Sequence, residues 1–238
     1  MPRRFSRRLL MSMLSSLALG VTVLSSPATA APDDDRVLPA DQYRSEKARQ
    51  LAVKYASALR ALNTSLYHCL PWTDVQKHSI GFYKPKDTAG DDRYLSARLY
   101  VEQDFAPAFA RMSIEERASS MFSRYVIPML RMMTRERRLL DDPAVAGFAV
   151  LLEWRKHGVR GVDSRPIHET IAVFTPKPLV LSFLARAITT RDLAARSRVL
   201  GFDGETHLGP LAITGWDDDF VRTYKVSHDE LPPDMTCP

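Results

Sequence analysis

The stretch from Ser113 to Leu140, SIEERASSMFSRYVIPMLRMMTRERRLL, constrains this chain more than any other. Ser113 and Glu116 have the S-x-x-E spacing of a capping box, in which each side chain satisfies a backbone donor left free in the first helical turn. At about 100° per residue, Ala118, Met121, Phe122, Tyr125, Met129, Met132 and Met133 share one broad arc. Arg117, Arg124, Arg131, Arg135 and Arg138 fall in a narrow strip away from the centre of that arc. The pattern predicts an amphipathic helix with a core-facing side and a guanidinium stripe. Pro128 lacks a donor N–H and its ring presses on the preceding turn, so a kink or break is expected near Ile127. The methionines read as core filler, since a flexible thioether adapts to irregular gaps. The five arginines are the candidate binding residues. They make either a solvated outer face or a docking surface for an anionic polymer, a lipid headgroup or an acidic partner.

Residues 1–30 read as a secretory signal peptide. Arg3, Arg4, Arg7 and Arg8 form a positive n-region, Leu9 to Leu24 an apolar stretch, and Ala28-Thr29-Ala30 an A-x-A cleavage site before Ala31. Ser6 to Leu10 leaves both the general secretory and the twin-arginine routes open. The expected location is periplasmic or extracellular. The whole chain carries 33 basic and 28 acidic side chains, and residues 1–30 take away four arginines and no acid. The remaining balance is close to neutral, so no nucleic-acid partner is expected. With the signal removed, no segment reads as an integral membrane span. Cys69 and Cys237 are the two cysteines, and in an oxidising compartment they are expected to pair, tying the C-terminal tail to the segment after the first helix.

Residues 31–40 read as a flexible acidic leader and 41–214 as a single domain. Leu51, Tyr55, Leu59, Leu62 and Leu66 recur at helical spacing. Asn63-Thr64-Ser65 matches a glycosylation sequon, relevant only in a eukaryotic secretory pathway. The period then changes to two. His78–Tyr83 and Arg93–Glu102 form one expected hairpin, and Phe148–Arg155 with Ile167–Phe174 a second. Ser197–Phe202 and Glu205–Leu208 make the third, around an Asp203-Gly204 turn. Between the second and third, PLVLSFLARAI and TTRDLAARS read as helical, although the first part also suits a buried strand. The order helix then hairpin, repeated about three times, predicts an α+β fold: an antiparallel sheet built from hairpins, with amphipathic helices packed on one face. Residues 215–238 read as an irregular tail laid over the surface, with one short strand candidate at Phe220–Val226.

Familiar catalytic patterns are missing from the sequence: it contains no G-x-S-x-G, P-loop, G-x-G-x-x-G or H-E-x-x-H. His168-Glu169 begins like the last of these, but Ala172 stands where a second histidine would be. No metal or cofactor is expected. His207 with Asp203 and Glu205, and the run Asp217–Asp219, read more simply as turn chemistry than as cation or acid–base sites. Aromatics at Trp72, Tyr83, Tyr94, Tyr100 and Trp154 would offer a binding surface if the sheet left a face uncovered. The expectation is a non-catalytic exported protein that binds a partner protein or cell-envelope component through the open sheet face or the arginine stripe. The competing expectation is a hydrolase or metal-dependent enzyme using His168, Glu169, His207 and Asp217–Asp219, which requires those groups to converge.

Overall fold

A computed structural model describes residues 34–86, 88, 90–102, 107–160, 165–224 and 236–237. The signal peptide and its cleavage site fall on residues outside this set. The chain runs α1 (Glu46–Lys54), α2 (Ala56–Cys69), β1 (Thr73–Val75), β2 (Gly81–Tyr83), β3 (Arg93–Val101), α3 (Pro107–Arg111), α4 (Ile114–Met121), α5 (Ile127–Met133) and α6 (Arg137–Asp141). It continues through β4 (Val145–Arg160), β5 (Pro166–Pro176), α7 (Lys177–Leu184), α8 (Thr190–Arg196), β6 (Arg198–Asp203), β7 (Thr206–Pro210) and α9 (Phe220–Thr223). The result is an α+β fold around a seven-stranded, mostly antiparallel sheet ordered β1-β3-β4-β5-β6-β7, with β2 also paired to β3.

Local signals account for much of this. The capping box at the start of α4 forms both of its bonds: the Ser113 N–H donates to Glu116 Oε2 at 2.7 Å and the Glu116 N–H to Ser113 Oγ at 3.2 Å. Ahead of Pro128 the helix widens to a π segment, Phe122–Val126, in which the Ile127 N–H reaches back to the Phe122 carbonyl. That wider turn makes room for the proline ring against the preceding carbonyls. The continuous helix stops at Met133 rather than Leu140, and α6 restarts as a separate piece. The three hairpins form, each antiparallel. In the third, the two loop residues are Gly204 and Glu205, one position later than expected, and Gly204 alone takes a positive φ of 59°.

One junction departs from the hairpin reading: β3 and β4 are parallel. They are joined by the helical stretch α3 to α6, and a crossover of that kind carries the chain back to the end of the sheet at which β3 began, which a tight turn cannot do. The register aligns Leu95 with Phe148, Ala97 with Val150, Leu99 with Leu152 and Val101 with Trp154. All eight are fully buried in the core. Val150 then meets Val173, and Leu152 meets Ile171, carrying the same layer across β5. Met121, Phe122, Tyr125, Met129, Met132 and Met133 belong to this core.

The ends of the chain also differ from expectation. Asp34–Arg36 form a short 3-10 turn and Val37 bridges to Ile80, so part of the acidic leader is attached to the domain. Residues 211–219 run along α4 and the π segment: the Thr214 N–H donates to Ser119 Oγ at 3.0 Å and the Trp216 N–H to Ser123 Oγ at 3.1 Å. Gly215 sits so close that a Cβ there would lie 2.7 Å from the Thr190 carbonyl oxygen and 2.9 Å from Ala194 Cβ. The strand candidate at Phe220 is instead the helix α9. Phe220 packs its ring on Tyr125 and Trp72, because an apolar residue four positions before Tyr224 fits a single helical turn against the core. Cys69 and Cys237 are disulfide-bonded, with Cα atoms 5.3 Å apart. Asn63 of the sequon is buried, which leaves its amide inaccessible in the folded chain.

Candidate ligand-binding cleft

The strand residues that alternate with the core layer build a second surface. Pairing across β3, β4, β5 and β6 sets Ser96, Ala149, Phe174 and Arg198 in one row. Arg98, Leu151, Ala172 and Leu200 make the next, and Tyr100, Glu153, Thr170 and Phe202 a third, which His207 of β7 extends. Along the outer edge of β3 runs the chain from Gln76 to Lys86, in which Gly81–Tyr83 pair with that strand as β2 and the flanking residues overhang the first two rows. Between floor and overhang lies a cavity of about 730 Å³, within the usual range for small-molecule sites.

The overhang is held by its own hydrogen bonds. The Gln76 N–H donates to the Arg98 carbonyl at 2.9 Å, and Ser79 Oγ lies within bonding distance of both the Arg98 N–H and its carbonyl. His78 adopts a φ of 53°, in the left-handed region. Its N–H donates to the Asp35 carbonyl at 2.8 Å and its carbonyl accepts from Tyr83 Oη at 2.6 Å. These bonds hold a backbone shape that a non-glycine residue seldom takes alone.

Chemically the cleft is apolar in its floor and basic around it. Ala149, Leu151, Ala172, Phe174, Leu200 and Phe202 supply the floor. Lys77, Lys84, Lys86, Arg98 and Arg198 also line it, and among the described lining residues there is no carboxylate. Lys77 pairs with Asp35 at 3.2 Å, and Arg98 with Glu153 at 2.6 Å. Arg198 lies over the Phe174 ring, 5.6 Å from its centroid, and reaches the Lys86 carbonyl at 3.5 Å. Lys84 and Lys86 are exposed and in no ion pair with a described residue. Burial, aided by the neighbouring Tyr43, pushes the Tyr83 phenol up to about 12, and burial also raises Tyr94, so both hydroxyls stay neutral donors at neutral pH.

Of the aromatics singled out in the sequence, Tyr83 and Tyr94 line this cleft and Tyr100 stands in the third row. Trp154 is in the core, and Trp72 packs against Phe220 and Tyr224. The overhang lysines lie in a segment that reads as a plain turn-rich link. The strand aromatics and the two-residue period of Arg93–Glu102 pointed to this surface.

The arginine stripe is dispersed among different contacts. Arg117 is internal, forming a two-pronged ion pair with Glu169. Arg124 lies 3.8 Å from Asp218 and over the Phe220 ring. Arg131 covers the Phe183 ring, and Arg135 donates to the Thr236 carbonyl. Arg138 is exposed, and its carbonyl accepts from Tyr55 Oη at 3.0 Å. Arg131 and Asp217–Asp219 come together around a second cavity of about 810 Å³ between the tail, α5 and the α7–α8 turn.

The histidines and acids of the enzyme reading divide: His168 and His207 lie on the cleft side of the sheet, Glu169 on the opposite face and Asp217–Asp219 beside the second cavity. His168 Nδ1 is 3.1 Å from Glu153 Oε1 on the cleft side of the sheet, and Arg98 and Gln76 bind the same carboxylate. Glu169 is buried on the opposite face rather than exposed on its strand, because Arg117 and the Trp154 indole N–H occupy its oxygens. His207 packs on Phe202, with ring centroids 5.0 Å apart. Asp217 accepts from Thr190 Oγ1 at 2.6 Å beside α8. Among the described residues no three His, Cys, Asp or Glu side chains are grouped to hold a metal ion, and no helix is long and apolar enough to cross a membrane. No protein-family model, curated protein or solved structure matches this chain.

Proposed function

We propose that this is an exported, non-catalytic binding protein that takes its ligand into the cleft on the open face of the sheet, and that the ligand is a component of the cell envelope. The observation that carries the reading is the pairing of a floor apolar in its first two rows with a hydrogen-bonded overhang, a form suited to holding an apolar body rather than to moving protons. The Cys69–Cys237 disulfide supports an oxidising compartment, where such bonds persist. The dispersal of His168, Glu169, His207 and Asp217–Asp219 weighs against the hydrolytic reading, since general acid–base work needs its groups within reach of one reacting atom.

The test uses the uncharged fluorophore N-phenyl-1-naphthylamine. It should bind with enhanced emission, and Ala172→Trp or Leu151→Trp, each filling the floor, should abolish the signal while circular dichroism stays native. Undiminished binding by both folded variants would remove the cleft from the account.

A further inference from the structure

The charge distribution around the cleft narrows the ligand class, and the step rests on the binding reading above. The floor crosses β3 to β6, about 14 Å at roughly 4.8 Å per strand, and its first two rows are apolar between Ser96 or Arg98 at one edge and Arg198 or Leu200 at the other. Lys77 and Arg98 lie at the β3 edge of this floor, paired with Asp35 and Glu153, and Arg198 lies at the β6 edge. Arg198 stands at the end of the first row and contacts the Lys86 carbonyl, which brings the Lys84–Lys86 end of the overhang above it. Five basic side chains line the cleft with no carboxylate among the described lining residues, and Lys84 and Lys86 are without an ion pair to a described residue. Such a site attracts negative charge and disfavours positive charge, while its floor rewards an extended apolar body.

We infer that the ligand is a single-chain amphipathic anion, with its alkyl or acyl chain laid over Leu151, Ala172, Phe174 and Leu200 and its anionic head at Lys84, Lys86 and Arg198. The neutral hydroxyl of Tyr94, which lines the same cavity, donates to a head or ester oxygen without opposing its charge. A carboxylate and a phosphate head share the chemistry this cluster recognises, and neither needs a metal to be held.

Isothermal titration of the full chain with dodecanoate, dodecyl phosphate and dodecyltrimethylammonium, each below its micellar concentration, tests the inference. One or both anions should bind about tenfold or more tighter than the cation, and the tighter anion assigns the head group. Lys84→Glu with Lys86→Glu should weaken the anions about tenfold and leave N-phenyl-1-naphthylamine binding unchanged. Equal binding of the cation, or anion affinity indifferent to both substitutions while the neutral probe still binds, would overturn the anionic ligand and leave the binding reading standing. Loss of the neutral probe as well as the anions would overturn both. A concentration-dependent dimer that blocks the neutral probe and resists dodecanoate would make a second copy of the chain the occupant instead.

Discussion

Glu169 holds the guanidinium of Arg117, fifty-two positions earlier in the chain, through two charge-assisted bonds: Nε to Oε2 at 2.8 Å and Nη2 to Oε1 at 2.6 Å. The Trp154 indole N–H adds a third bond to Oε2 at 2.9 Å. The Glu169 side chain is 3% exposed and that of Arg117 13%. The pair joins the first turn of α4 to β5, fixing the crossover helices to the sheet they flank.

Removing one member of this pair strands the other charge in the interior. Arg117→Met should destabilise the protein by about 3–5 kcal/mol, read from urea unfolding. Adding Glu169→Gln, which keeps an acceptor for Trp154, should recover much of that loss, a coupling outside simple additivity. A cost for the single variant no larger than that of a surface substitution would show that the pair carries no stabilising role.

Asp142 gives the stability a defined acid limb. Burial opposes its ionisation, but hydrogen bonds from Lys54 Nζ, the Ala144 N–H and Tyr55 Oη outweigh this and lower its pKa. A depressed carboxylate stabilises the fold above its unfolded value, about 3.9, and loses that contribution as pH falls through the folded value. Lys54 is raised, mainly by its bond to Asp142, so its contribution is complete below about 10.5 and fades as pH rises through its higher folded value. Asp142→Asn should therefore flatten the fall in melting temperature between about pH 5 and pH 2. An acid limb as steep as that of the parent chain would assign the effect to other carboxylates.

The Cys69–Cys237 bridge spans 168 positions and anchors the far end of the tail beside α2. Cys69→Ala with Cys237→Ala should lower stability by about 2–5 kcal/mol and speed proteolytic cleavage in the tail. The Ser119 and Ser123 contacts and the tight seat of Gly215 should hold residues 211–219 in place even then. Unchanged unfolding of the double variant in non-reducing urea would mean that those contacts alone retain the tail.

The amino-acid sequence by itself determined the pieces whose causes are local. The Ser113–Glu116 capping box, the interruption ahead of Pro128, the buried arc of methionines and aromatics, the three hairpins and the α+β class all follow from residues within a few positions of one another. The cysteine pair also followed, because two thiols admit a single intramolecular bridge. Tertiary structure alone decided the rest. The parallel pairing of β3 and β4 depends on where the helical crossover delivers the chain, and the turn of Phe220 into a helix depends on the rings of Tyr125 and Trp72 awaiting it. Arg117 looks like any other member of a charged stripe until the fold brings Glu169 to it. The cleft is the clearest case: each strand contributes one residue to each row, so the apolar floor and its basic surround exist only once pairing has set those residues side by side.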